Sequence, residues 1–271
     1  MAVPGPIRIT VLGSGTSVGV PTIGCPCAVC HSEDPRDRRL RPSILISYPA
    51  GGRERNVVVD TTPDFRQQAL AAGFTDLDAI LYTHSHADHI MGLDDVRPFN
   101  YGRRERIPVF GMAATIDALE RAFPYAFIEA ATHPGGLPRV TAHCIESESV
   151  RLHGLDFTPV PIWHGKTQII GFRFGRAAYL TDHSDIPDSS LPLLEDLDLL
   201  FLDALRWEPH PSHSTVGQAL DWVERLRPKQ AYFTHICHDL SHAAVSAALP
   251  AGVGLAYDGL SIEIAGTGLH A

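Results

Sequence analysis

The chain has 271 residues and a formal charge of -9, from 22 Lys and Arg against 31 Asp and Glu. That balance argues against a protein held on nucleic acid by a basic surface, while leaving room for a small phosphorylated substrate that needs only local cations. At 44% hydrophobic and 20% charged residues the composition is that of a globular protein with ample core, and length alone does not decide between one large domain and two small ones.

No apolar run approaches the roughly 18 residues of a membrane span. The start, Met1-Ala2-Val3-Pro4-Gly5-Pro6, lacks the basic and apolar regions of a signal peptide, so a cytoplasmic location is expected. Three of the five cysteines crowd into Cys25-Pro26-Cys27-Ala28-Val29-Cys30. In a reducing compartment that crowding suggests metal ligation before disulfides.

In chain order, Ile7 to Leu12 alternates as a strand and runs into the Gly-rich turn Gly13 to Pro21. The spacing of Gly13, Gly15 and Gly19 makes no dinucleotide fingerprint, because cysteines rather than a helix follow; a tight turn bringing backbone close to a site is expected instead. Arg36 to Arg41 is a short basic run read as a solvated loop. Two strands, Pro42 to Ser47 and Asn56 to Asp60, flank a hairpin at Gly51-Gly52 with Arg53-Glu54-Arg55 near its tip, and a helix begins after Thr61. A strand at Ile107 to Phe110 precedes a helix from about Ala113 to Phe123 that Pro124 should close. Residues 131–138 are loop-like.

The second half continues with strands at Leu155 to Val160, Ile169 to Phe174, Ala177 to Thr181 and Leu199 to Asp203. Thr215 to Arg227 places Val216, Ala219, Leu220, Val223 and Leu226 on one helical face. A strand at Gln230 to Thr234, a helix near Asp239 to Leu249 and strands around Val253 to Tyr257 and Leu260 to Ile264 complete the chain. The expected fold class is α/β (α+β), two mixed sheets packed together with helices outside in an αββα sandwich. A single domain over residues 1–271 is expected, with a zinc-binding insertion at about 21–41.

The chemistry concentrates in Thr83-His84-Ser85-His86-Ala87-Asp88-His89, directly after the apolar run Ala79 to Tyr82. His84 and His86 can point the same way from an extended backbone, while Asp88 and His89 face elsewhere, so the segment can serve two metals. His164, Asp182 and His235 each come first after a buried-looking strand, the position His84 occupies after its own. Together they offer five histidines and two carboxylates, enough for two metals with positions open for water or substrate.

This ordered set, with Asp60, resembles the metallo-β-lactamase superfamily, and the likeness covers nearly the whole chain. The resemblance implies that His84, His86 and His164 hold one metal, that Asp88, His89 and His235 hold the other, and that Asp182 bridges them. Asp60 would orient the motif through a hydrogen bond rather than ligate. Zinc, manganese and iron all suit these donors.

Cys25, Cys27 and Cys30 have the spacing of a structural zinc site that wants a fourth ligand. His238 is preferred, with Cys237 next and His31 cramped against Cys30. The pattern is similar to the phosphoribosyl 1,2-cyclic phosphate phosphodiesterase branch, the accessory phosphodiesterase of bacterial phosphonate breakdown. That branch implies a proton donor at His213, with His210 close enough to be confused with it. It also implies hydrolysis of a small, cyclic phosphodiester by a hydroxide shared between two divalent metals. Ser14, Thr16, Ser17 and Lys166 are candidate phosphate contacts. A stable nucleic-acid complex is not expected, and a homodimer is left open. The rival readings are a tRNA 3′-processing nuclease, a thioesterase or glyoxalase II type hydrolase, and a protein linked to pyrroloquinoline quinone biosynthesis.

Overall fold

The computed structural model describes residues 5–101, 105–128 and 136–266. Part of the loop expected at 131–138, and the first four residues, lie outside that range. The first half runs β1 (Ile7–Gly13), β2 (Ser43–Ala50), β3 (Arg53–Val59), α1 (Phe65–Ala72), β4 (Ala79–Leu81), α2 (Ala87–Ile90), β5 (Ile107–Gly111), α3 (Ala113–Ala122), α4 (Pro124–Phe127) and β6 (Val140–Cys144). The second runs β7 (Val150–Leu152), β8 (Leu155–His164), β9 (Thr167–Phe174), β10 (Ala177–Leu180), β11 (Leu199–Asp203), α5 (Val216–Leu226), β12 (Gln230–Thr234), α6 (His242–Ala248), β13 (Val253–Leu255) and β14 (Ser261–Ile264).

These strands form two seven-stranded sheets, ordered β14-β1-β2-β3-β4-β5-β6 and β13-β12-β11-β10-β9-β8-β7. Each is mixed: β3 to β6 pair in parallel in the first, β10 to β13 in the second, and the remaining pairs are antiparallel. Alternate residues explain the layering. In β3, Val57 and Val59 join the core between the sheets while Val58 faces the outer cluster under the helices; in β11, Leu199 and Phe201 face inward and Leu200 and Leu202 outward. Strands covered on both faces read as unbroken apolar runs, which is why these segments are so hydrophobic. The result is the expected αββα sandwich.

Several local expectations shift. The hairpin tip is only Gly51-Gly52, both at positive φ (61° and 80°), so Arg53 lies within β3 and pairs with Asp78. Pro124 does not merely end α3; it opens the short α4, a place where a missing N–H costs nothing. β8 extends to His164 despite Pro159 and Pro161, because β7 pairs only with Leu155 to Phe157 and the next backbone pairing on that edge is the Trp163–Asp185 bridge, so neither proline faces a partner strand there. The edge strands β6 and β7 are additional to those read from the sequence.

The architecture matters for the site because the parallel strands of both sheets end at one rim. β3 runs into Asp60, β4 into His84, β10 into Asp182, β11 ends at Asp203 and β12 delivers His235. Ligands gather outside the carboxyl ends of parallel strands for this reason.

Candidate metal centre

At this rim the chain turns sharply. Asp60, Asp182 and His235 all take left-handed backbone conformations, with φ of 64°, 61° and 57°. Non-glycine residues held there cost on the order of 1–3 kcal/mol each and persist where surrounding structure over-determines them. Here the sheets do so, and each kink turns a ligand-type side chain off the end of its strand.

Two ligand sets result. The donor atoms of His84, His86 and His164 lie within 4.8 Å of one another, and so do those of Asp88, His89, Asp182 and His235. In the second set His89 Nε2 is 3.2 Å from Asp88 Oδ2 and 3.3 Å from Asp182 Oδ1, and His235 Nε2 is 3.2 Å from Asp182 Oδ2. The two sets adjoin, since the His84 and His89 rings are 4.1 Å apart. Asp182 groups with the second set and also acts electrostatically on His84.

The residues fit metal ions on their own evidence. His84 Nε2, His89 Nε2 and His235 Nε2 are buried without a hydrogen-bond partner, an arrangement that costs free energy unless something binds there. In the Asp88/His89/Asp182/His235 set the field has the matching sign, whereas burial holds His84 and His164 below the usual histidine range. Burial opposes charge on Asp182, but His235 and His89 outweigh it and keep the carboxyl well below its usual range. Burial likewise opposes protonation of His235, yet Asp182, Asp88 and Asp203 raise it to about 9. Histidines that attract protons despite burial mark a place where positive charge is favoured, and a divalent cation would answer the same field.

The neighbours of the ligands fix their tautomers. Thr83 donates to Asp60 through its amide (2.9 Å) and its hydroxyl (2.8 Å), and Asp60 Oδ2 lies 2.7 Å from His89 Nδ1. His164 Nδ1 is 2.8 Å from the carbonyl oxygens of both Asp182 and Ser212, so it is the proton-bearing nitrogen and Nε2 remains for a ligand. Such outer contacts orient ligating histidines.

His213 stands beside this centre. Its ring stacks on His235 at 4.5 Å and meets His164 edge-on at 4.8 Å. Its Nδ1 lies 2.6 Å from Asp203 Oδ2. His210 does not share this pairing; its Nδ1 receives weak contacts from Ser212 in its own loop. Asp203 is the residue that the sequence reading missed, although its signal was there: it is the first ionisable side chain after the apolar run Leu199 to Leu202. Burial raises Asp203 well above the carboxylate range, and burial with the charge of His235 lowers His213, so a protonated Asp203 carboxyl beside a neutral His213 ring is favoured.

The candidate phosphate contacts separate. Ser14 is fully buried and its hydroxyl donates to Asp258 at 2.8 Å, so it supports the turn and is closed to substrate. Thr16 is also buried, its amide donating to the Ile236 carbonyl at 3.2 Å. Ser17 is exposed, and Lys166 is exposed in the β8–β9 turn, two residues past His164.

A third set lies nearby. Cys25, Cys27, Cys30 and His238 bring their donor atoms within 4.8 Å of one another. His238 Nδ1 is 3.1 Å from Cys25 Sγ and 3.4 Å from Cys27 Sγ. The amide of Cys30, then His238, lowers the Cys27 thiol to about 6, toward the thiolate a metal needs. His31 turns instead to the Cys27 carbonyl, and the Cys237 sulfur accepts from the amide of Asp239.

Residues 55–236 match the family described as Beta-lactamase superfamily domain. The chain belongs to the beta-lactamase superfamily. Within it the branch is PhnP-like: a crystal structure of a new diphosphatase from the PhnP family is 52% identical, superposes with a TM-score of 0.88, and is covered over 97% by 96% of this chain. An octanoyltransferase of Porphyromonas gingivalis is 37% identical over 97% of this chain, which spans only 53% of that relative. Zinc-bound PqqB from Methylobacterium extorquens shares the fold at 17% identity, with a TM-score of 0.73 and coverage of 95% of this chain and 100% of that one. Among the described residues no helix is long and apolar enough to cross a membrane.

Proposed function

We propose that the protein is a metal-dependent phosphodiesterase acting on small, cyclic phosphodiesters, with zinc or manganese in the two histidine and carboxylate sets and zinc in the thiolate set. The observation that carries this reading is the His213–Asp203 pair beside two adjoining ligand sets. Divalent cations bound there supply Lewis-acid charge that draws in phosphoryl oxygens and makes water a stronger nucleophile at neutral pH.

The chain's own residues do the rest. Asp60 and the Asp182 and Ser212 carbonyls hold His89 and His164 with Nε2 facing the centre, so ligand geometry is set before substrate arrives. Asp182 and Asp88 balance the incoming charge. As the bond from phosphorus to the leaving oxygen breaks, that oxygen takes the proton from His213 Nε2. A proton held between Asp203 Oδ2 and His213 Nδ1 shifts toward Nδ1, so the His213 ring stays neutral and the negative charge is left on the Asp203 carboxylate. In a cyclic ester the leaving oxygen stays attached, and a phosphomonoester results. Lys166 and Ser17, exposed near the rim, are the remaining candidates to touch phosphate oxygens.

The 52% identical PhnP-family diphosphatase favours a second reading, in which the bond cleaved is a phosphoanhydride. The same centre attacks phosphorus, but a phosphate leaves more readily than an alkoxide and needs a donor less. The acyl chemistry in the name of the Porphyromonas gingivalis relative has no comparable support, since this chain spans about half of that protein. One experiment separates the readings: kcat/KM of wild type and His213→Ala on a ribose cyclic phosphate, an aryl phosphodiester, a diphosphate diester and a thioester. We expect His213→Ala to lose ~10²- to 10⁴-fold on the cyclic ester and little on the aryl ester. Equal losses on both would remove His213 as the donor. A preference for the diphosphate would select the second reading, and turnover of the thioester alone would overturn both.

A further inference from the structure

The two kinds of ligand cluster share one loop. At its start His235, kinked at φ 57°, belongs to the carboxylate set; three residues on, His238 belongs to the thiolate set. Residues 236–242 therefore run from the first cluster through the second, and what fixes this loop acts on both.

A buried arginine does so. The side chain of Arg39 is fully buried, and its guanidinium donates to the Cys237 carbonyl at 2.8 Å, the Leu240 carbonyl at 2.6 Å and Asp37 Oδ1 at 2.8 Å. Those two carbonyls bracket His238. The same Asp37 oxygen accepts from the His242 amide at 2.7 Å, so the ion pair grips the far end of the loop as well. The Arg39 backbone exchanges hydrogen bonds with Val20 at 2.8 and 2.9 Å, which ties it to the start of the cysteine segment. From the other side the Gly-rich turn closes in: Ile236 donates to the Ser14 carbonyl at 2.9 Å, and a Cβ on Gly15 would lie 2.8 Å from Arg39 Cβ. Arg39 thus stands where the cysteine segment, the first turn and the ligand loop meet.

We propose that Arg39 is a positioning residue that couples the thiolate set to the Asp88/His89/Asp182/His235 set, so that a metal in the first raises the affinity of the second. The coupling rests on the reading that both sets hold metal. Its physical basis is the guanidinium fork. With the Arg36 carbonyl at 3.3 Å from Nε there are four acceptors in fixed directions, more than the three donors of a lysine ammonium can serve, and unserved carbonyls beside a buried Asp37 would force the loop to rearrange. A ligating histidine tolerates only about 0.5 Å of misplacement before geometry is lost. Linkage then requires reciprocity: whatever the thiolate set does for the other set's affinity, the other must do in return.

The test uses the full chain loaded with Co²⁺ alone, because cobalt on thiolates gives a strong near-ultraviolet charge-transfer band while cobalt on nitrogen and oxygen gives weaker visible bands. Both sets are then read separately in one sample. Chelator competition is measured on wild type, Arg39→Lys and Asp37→Asn, each with the thiolate set filled or emptied by an organomercurial. In wild type, emptying the thiolate set should weaken cobalt binding at the other set ~10- to 100-fold, the range typical of outer contacts to metal ligands. In Arg39→Lys that binding should already be weak, and emptying the thiols should change it no further. Asp37→Asn keeps an acceptor oxygen in place and removes only the charge, so it should weaken binding in the same direction by a smaller factor; it stands in for Arg39→Lys if that variant does not fold. Unchanged affinity in wild type after emptying, or affinity in the folded variants within twofold of wild type, would overturn the coupling. A wild-type protein with visible bands but no thiolate band would instead overturn the metal reading of the cysteines, and the coupling with it.

Discussion

The two kinds of cluster are built in opposite ways. The histidine and carboxylate centre collects side chains from strand ends of both sheets, and all of its members except His86 are buried or nearly so. The thiolate set takes three sulfurs from one short segment and a single histidine from afar, and Cys25, Cys27 and His238 are only half-buried. The first takes its positions chiefly from the strand ends, with the Arg39-held loop adding to the hold on His235. Its carboxylates and unpartnered nitrogens make it a place of stored electrostatic cost that a cation relieves. The second has little framework of its own beyond Arg39 and local turns, so a metal bound there would do more to define its shape. A centre for chemistry wants geometry set in advance, whereas a fastening gains by acquiring geometry on binding.

The sharpest way to break that comparison is Asp182→Ala. Asp182 touches both His89 and His235, so its loss should empty the carboxylate set and cut kcat/KM on phosphodiesters by at least the roughly 10²- to 10³-fold that removing one electrostatic stabiliser costs. The thiolate set should keep one equivalent of metal, measured by elemental analysis of the dialysed protein. Loss of metal from the His84/His86/His164 set as well would mean that the strand ends do not hold their geometry independently, whereas a weakened thiolate set is what the Arg39 coupling itself requires.

Asp60→Asn probes the same distinction more gently. Asp60 contacts His89 and Thr83 and lies outside both ligand sets, so the variant should retain its fold while metal affinity at the carboxylate set falls ~10- to 100-fold. Chelator competition reads this directly. An unchanged affinity would show that the sheets alone orient His89.

How much of this was legible in sequence follows from the same contrast. The thiolate spacing is local and could be read at once, and His84 to His89 announces itself after an apolar strand. His164, Asp182 and His235 were legible because both sheets use one rule, an ionisable residue directly after a buried run. Asp203 obeys that rule too, but it closes its strand as the last paired residue and looked like part of it. Ser14 shows the opposite limit. A serine in a Gly-rich turn reads as a phosphate contact, and only the fold reveals that Asp258, near the other end of the chain, takes its hydroxyl. Edge strands β6 and β7 went unread because pairing with a neighbour, not their own pattern, makes them strands. Arg39 looked like one charge of a solvated basic run; its burial depends on contacts to residues 237 to 242 that no local pattern carries.

The smallest expected effect tests whether stability and chemistry separate at the rim. Thr215 caps α5 two residues after His213: its hydroxyl accepts from the Gln218 amide at 3.1 Å while Gln218 Oε1 accepts from the Thr215 amide at 2.9 Å. Thr215→Ala removes half of this capping box and should cost ~1 kcal/mol. For a chain of this size that is a fall in Tm of about 2–4 °C, measurable by calorimetry. His213, however, is fixed from other directions, by Asp203 and by the Ser214 backbone, whose amide donates to the His183 carbonyl at 2.9 Å and whose carbonyl accepts from Leu205 at 2.9 Å. The ratio of activity on alkyl and aryl esters should therefore stay at the wild-type value while Tm falls. A change in that ratio would mean that α5, and not the strand-end framework, sets His213, and the distinction between a centre positioned by the sheets and a fastening positioned by its ligand would no longer hold there.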